Sequence, residues 1–151
     1  MTLRIHVETS VVSYLTARPS TDDLKAVKQQ MTQRWWARDV PLGSVFISSY
    51  VIDEASKGDP QAAQERLESI RGLQALPATV EIESLAEYLL HGGGLPANAR
   101  LDALHVACAS VHRMDVLLTW NCTHIANPTQ LPVMRGLCAA LGYRLPELVT
   151  P

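Results

Sequence analysis

Four short segments of this chain carry side chains able to do chemistry: "VETS" with Glu8, "SSYVIDEASKGD" with Glu54, "ARLDALHVACA" with Asp102, and "LLTWNCTHIAN" with Asn121. Three supply a carboxylate and the fourth an amide. Hydroxyls (Thr9, Ser10, Thr119) and imidazoles (His105, His124) stand beside them. Carboxylate oxygens are the ligands that hard divalent cations such as Mg2+ and Mn2+ prefer. Acids crowded into one cleft repel one another, and a divalent cation relieves that repulsion. An ion so held screens an anionic substrate, lowers the pKa of a water and steadies a leaving oxygen. The residue types therefore point to metal-assisted hydrolysis, provided the fold gathers positions from opposite ends of the sequence.

Each of these residues also has a purely structural reading. Glu8 can be an exposed acid, with Thr9 or Ser10 capping the helix that follows; both jobs are served together if Ser10 caps and Thr9 holds a carboxylate. Asp53 and Glu54 are adjacent and face different directions on a helix, so one of them is solvated. Asp59 in "KGDP" suits a helix cap. Asp102 falls in the first turns of a helix, where the helix dipole favours an acid for stability alone. His105, three residues on, is expected beside Asp102. His124, three residues after Asn121, fits either a contact with substrate or a turn. His6, His91 and His112 share no metal-ligand spacing. The glycines at 92–94 lack the context of a phosphate-binding loop and read as a flexible helix end. Trp36, flanked by Arg34 and Arg38, reads as a partner surface.

The elements that would position these groups alternate along the chain. Leu3, Ile5 and Val7 alternate with Arg4 and His6, which signals a strand. Val11, Val12 and Leu15 are spaced for a short helix. A longer helix is expected from Asp22 to Arg38, with Leu24, Val27, Met31 and Trp35 as its apolar stripe. Val45-Phe46-Ile47 reads as a strand, with a Ser48-Ser49 cap and a helix through Glu54. Asp59-Pro60 opens a helix to about Arg71. A short strand is expected at Thr79–Ile82, then a helix from Leu85 to Leu90. Asn98 can cap the helix carrying Leu101, Leu104, Cys108 and Val111. Val116–Trp120 reads as a strand, Gln130–Leu141 as a helix, and Pro146–Val149 as a last strand. Short apolar strands alternating with helices predict an α/β fold with a mainly parallel sheet of four to five strands and helices on both faces. Such sheets bind ligands beyond the carboxyl ends of their strands, which selects Glu8 and Asn121.

Composition sets the outer limits. The 151 residues suffice for one domain, expected to span 1–151, and 47% are hydrophobic, so a packed core is expected. No segment approaches the roughly 20 apolar residues of a membrane helix, and no secretory leader pattern opens the chain, so the expected location is the cytoplasm. A net charge of −2 with no basic run argues against a sequence-independent nucleic-acid coat. Three widely spaced cysteines without a CxxC form neither a disulfide framework nor a zinc ribbon and read as buried thiols.

In order and context the four segments resemble the PIN domain, in particular the VapC-like toxins of VapBC-type toxin–antitoxin systems. That family has an acid with Thr-Ser after its first strand, a Glu on an early helix, an Asp opening a later helix as "D-A", and an Asp in a "T-x-D" turn. The resemblance covers nearly the whole chain. It implies an endoribonuclease that uses Mg2+ or Mn2+, with Glu8, Glu54 and Asp102 as metal ligands and Asn121 completing the site through a water or weak ligation. It also implies a homodimer and a small antitoxin protein that blocks the cleft. Two positions depart from the pattern. Glu8 stands where Asp is usual, which moves the carboxylate by roughly an ångström, a large shift against magnesium's ~2.0–2.1 Å geometry. Asn121 replaces an Asp and brings no charge, so one well-occupied metal site is expected. The competing expectation is a catalytically weakened PIN-fold protein acting as a binding or assembly module. A phosphoacceptor signalling domain fits poorly, because only one acid follows the first strand and no lysine lies beyond Lys57.

Overall fold

The computed structural model describes residues 2–151. Ile5–Val7 (β1), Val45–Ser48 (β2), Gln74–Leu76 (β3), Val116–Leu118 (β4) and Glu147–Val149 (β5) form one sheet in the order β3-β2-β1-β4-β5. Every pairing in it is parallel. The helices are Thr9–Thr16 (α1), Asp23–Asp39 (α2), Ser49–Ala55 (α3), Pro60–Ile70 (α4), Val80–His91 (α5), Arg100–Val111 (α6) and Leu131–Ala140 (α7). None is long and apolar enough to cross a membrane.

Successive strand side chains point to opposite faces, and this alternation divides the core in two. Val7, Val45, Ile47 and Leu118 join Val11, Val12, Val51 and Ile70 from α1, α3 and α4. Leu117 and Leu148 join Leu85, Leu89, Val106 and Met134 from α5, α6 and α7. Helices therefore cover both faces, as the alternating pattern predicts. The strand order runs outward from β1 in both directions, so β1 and β4 flank a topological switch point, where open α/β sheets place their binding crevice. The register sets Val7 beside Leu118, so Glu8 and Thr119 leave the sheet side by side.

The structure corrects several expectations. Thr79–Ile82 is not a strand: Thr79 is the N-cap of α5, its side chain accepting the Ile82 N–H at 3.2 Å. The strand lies earlier, at Gln74–Leu76, where no β-branched residue advertises it. The stripe expected on α2 faces outward, with Leu24 65%, Val27 51% and Met31 42% exposed and only Trp35 buried. Hydrogen bonds set that rotation. Buried Gln29 donates to Arg18 O and accepts from Ser20 N–H, and buried Thr32 accepts the Trp120 indole N–H at 2.8 Å. Trp36 packs edge-on against Trp35 and is partly buried. The N-cap of α6 is Ala99 rather than Asn98, and no side chain caps that helix. From Ala103 to Ser110 α6 is buried on all sides, so its apolar residues are not confined to one stripe. Cys108 and Cys138 are buried as expected, but Cys122 is exposed.

The glycines at 92–94 form a close approach rather than a loose end. A Cβ on Gly92 would meet Leu137 Cδ2 at 2.5 Å and Tyr88 O at 3.1 Å, and Gly93 has φ +79°. Gly92→Ala must push Leu137 out of its place on α7. The expected cost is about 1 kcal/mol, read as a lower melting temperature, whereas an unchanged melt would mean that α7 yields freely.

Candidate functional site

Glu8 sits one residue past β1 and is only 5% exposed. It, and not Ser10, is the N-cap of α1: its Oε2 accepts the Ser10 N–H at 3.0 Å. Glu is not among the usual capping residues, and its extra methylene carries the other oxygen further. Oε1 accepts two hydroxyls, Ser10 Oγ–H and Thr119 Oγ1–H, each at 2.5 Å. The hydroxyls continue the network, since Ser10 Oγ accepts the Trp120 N–H at 2.8 Å and Thr119 Oγ1 accepts the Asn121 N–H at 2.9 Å. One carboxylate thus ties the ends of β1 and β4 to the start of α1.

Ser48 ends β2 and caps α3 through the Val51 N–H, and that helix brings Glu54 to the same corner. Glu54 Oε1 lies 3.1 Å from His105 Nε2. Burial pushes the Glu54 carboxyl pKa up. The hydrogen bond with His105, together with the positive potential of His105 and Lys57, outweighs it, and the net shift is downward. Glu8, Glu54 and His105 offer ligand atoms that all lie within 4.8 Å of one another. Asp102 is outside that trio. It sits in the first turn of α6, and its Oδ2 is 2.8 Å from His124 Nδ1. His124 is held in turn by Asn121, whose Oδ1 accepts the His124 N–H at 3.0 Å.

The histidine pairing differs from the expected one. Helical spacing put His105 next to Asp102, but His105 is fully buried and reaches Glu54, while His124 serves Asp102. The available signal was a lone histidine on an otherwise apolar helix. His6, on the neighbouring strand with its ring centroid 6.5 Å from that of His105, is fully buried without a partner on either nitrogen. Burial, then the fields of His105 and His112, push its pKa down to about 3, so it is neutral at pH 7. Cys108 is pushed up to about 12 by burial and is an inert thiol. A cavity of about 800 Å³, lined by residues that include Ile52, Ala63, Leu67 and Leu73, contains none of these acids.

The donor set suits a hard cation. Among the described residues no Lys or Arg forms an ion pair with Glu8, Glu54 or Asp102. Each carboxylate has one oxygen anchored by a hydroxyl or an imidazole, and its second oxygen accepts at most one further hydrogen bond. Ligating carboxylates in metal sites are held in this way.

No protein-family model matches the chain, and no curated protein matches it in sequence. Solved structures do. The Mycobacterium tuberculosis toxin VapC20, which cleaves the sarcin–ricin loop, superposes with a TM-score of 0.61 at 20% identity, over 79% of this chain and 91% of that one. VapBC2 from Rickettsia felis, solved bound to a DNA fragment from its own promoter, gives a TM-score of 0.60 at 15% identity, over 97% and 98%. At these identities the likeness establishes the fold, which is the PIN-like α/β arrangement that the motifs imply.

Proposed function

We propose that this chain is a metal-dependent endoribonuclease that hydrolyses RNA phosphodiester bonds, the toxin of a type II toxin–antitoxin pair acting in the cytoplasm. The observation that carries the reading is the gathering of Glu8 and Glu54 with His105 at the switch point between β1 and β4, with no Lys or Arg ion pair to either acid among the described residues. Its support is the shared fold with a toxin that cleaves the sarcin–ricin loop. Glu8, Glu54 and Asp102 would hold Mg2+ or Mn2+, which when bound supplies charge screening for the phosphodiester and a more acidic water. The chain's own part is orientation. Thr119 and Ser10 fix Glu8, His105 fixes Glu54, and His124 holds Asp102.

A small antitoxin and a second copy of the chain are the proposed partners, with the Rickettsia felis complex as support. The outward stripe of Leu24, Val27 and Met31 is an apolar surface that a partner could cover.

Asn121 favours one other reading, a PIN-fold binding or assembly module with degraded catalysis. Asn121 is uncharged and its amide oxygen is engaged by His124. Incubation of the purified chain with single-stranded RNA separates the two. Cleavage is expected with Mn2+ or Mg2+ and not with EDTA. Absence of cleavage, together with no Mn2+ binding by calorimetry, would establish the module instead.

A further inference from the structure

Asn121 stands where the sequence pattern leads one to expect an acid, yet its backbone groups and its Oδ1 face inward to its own turn. Its N–H goes to Thr119 Oγ1, its Oδ1 accepts the His124 N–H, and its backbone oxygen accepts from Ile125 and Ala126 at 3.2 and 2.9 Å. Ile125 is fully buried, so the turn is anchored in the core. What the turn presents to the site is the His124 ring, 2.8 Å from Asp102 Oδ2.

Asp102 needs such a partner. It lies in the first turn of a helix that has no side-chain cap. The unpaired N–H groups and the positive end of the dipole attract a carboxylate back onto the helix itself. An imidazole with a proton on Nδ1 donates to Oδ2 and draws the carboxylate toward the end of β4 instead. The same device recurs at Glu54, which His105 holds from another element.

We propose that His124 is the positioning residue of Asp102, and that Asn121 acts through His124 rather than as a metal ligand. The inference rests on the reading of Asp102 as a ligand given under Proposed function. His124 sets which Asp102 oxygen faces the site, and Asn121 sets His124. Removal of an outer partner of this kind costs 10–100-fold in metal affinity in other proteins.

Calorimetric titration of the full chain with Mn2+ tests it, with melting curves run alongside. His124→Ala is expected to weaken Mn2+ binding at least about tenfold. His124→Asn puts an amide N–H near the place of Nδ1 and is expected to restore affinity to within about threefold, whereas His124→Gln, whose amide falls near Nε2, is not. Asn121→Ala is expected to weaken binding like His124→Ala, and the double variant no further, because the two act in series. Mn2+ affinity unchanged in His124→Ala, failure of Asn to restore it in a variant that melts like the wild type, or additive losses in the double variant would each overturn the inference alone. A wild-type chain that binds no Mn2+ overturns the ligand reading itself, and this inference with it.

Discussion

Glu54→Gln is expected to lower Mn2+-dependent RNA cleavage by at least about a hundredfold, equivalent to about 2.7 kcal/mol of transition-state stabilisation, and Asp102→Asn by a similar factor. Both substitutions keep shape and an acceptor oxygen, so His105 and His124 retain their hydrogen bonds, and what is lost is charge. Glu54 is the more informative of the two. Its burial disfavours ionisation, but the His105 contact and the Lys57 charge overcome that, and its pKa is lowered. The carboxylate is therefore already anionic at pH 7 before any cation arrives. Nearby Glu8 makes two like charges in a partly buried corner, without an Arg or Lys ion pair among the described residues. Neutralising Glu54 removes a charge that the metal-free fold on balance favours, and with it the attraction for the cation. In EDTA, Glu54→Gln is thus expected to melt slightly below the wild type, while its activity with Mn2+ collapses. Activity within threefold of wild type for both variants would mean that the acids are structural.

The residues that could be read from sequence are those whose signal is local. An apolar run ending in an acid or an amide marks a strand end, and β1 and β4 deliver Glu8 and Thr119 side by side, with Asn121 two residues further on, because their register is parallel and unshifted. Two kinds of feature were illegible. One is the weak element: Gln74–Leu76 is short, has no β-branched residue, and becomes a strand by lying along the edge of β2. The other is the partner chosen across the fold. Ser10 looked like the cap because serine usually is one, yet Glu8 takes the capping position, and the serine hydroxyl links Glu8 to Trp120. Spacing on α6 paired Asp102 with His105. The burial of α6 on all sides turns His105 into the core toward α3 and leaves Asp102 at the rim for His124. Side-chain spacing within one helix says which groups are neighbours on its surface, and the packing of the other elements decides which of them meet.

Glu8→Ala is expected to destabilise the metal-free protein by about 2–4 kcal/mol, seen as a melting temperature lower by about 5–15 °C in EDTA. Three donors converge on this one carboxylate: the Ser10 N–H, the Ser10 hydroxyl and the Thr119 hydroxyl. Loss of the cap alone costs about 1 kcal/mol, and each buried donor left without a partner costs about 1–3 kcal/mol more, less where a hydroxyl can rotate elsewhere. Relief of the repulsion with Glu54 acts in the opposite direction. It is the smaller effect, because Glu54 is about a third exposed and solvent screens it. Glu8→Asp separates the two roles of this residue. Aspartate is a good N-cap and can still accept the Ser10 N–H. Its carboxylate stops roughly an ångström short, and the 2.5 Å contact with Thr119 then exceeds a good hydrogen bond. The expected result is an intermediate melt, about 1 kcal/mol below wild type, and weaker Mn2+ binding, since the carboxylate loses the hydroxyl that aims it. If Glu8→Ala and Glu8→Asp melt together with the wild type, Glu8 is not the hub that joins β1, α1 and β4. If Glu8→Asp melts normally and binds Mn2+ more tightly, the longer side chain is a handicap to the metal site and not its means of reaching Thr119.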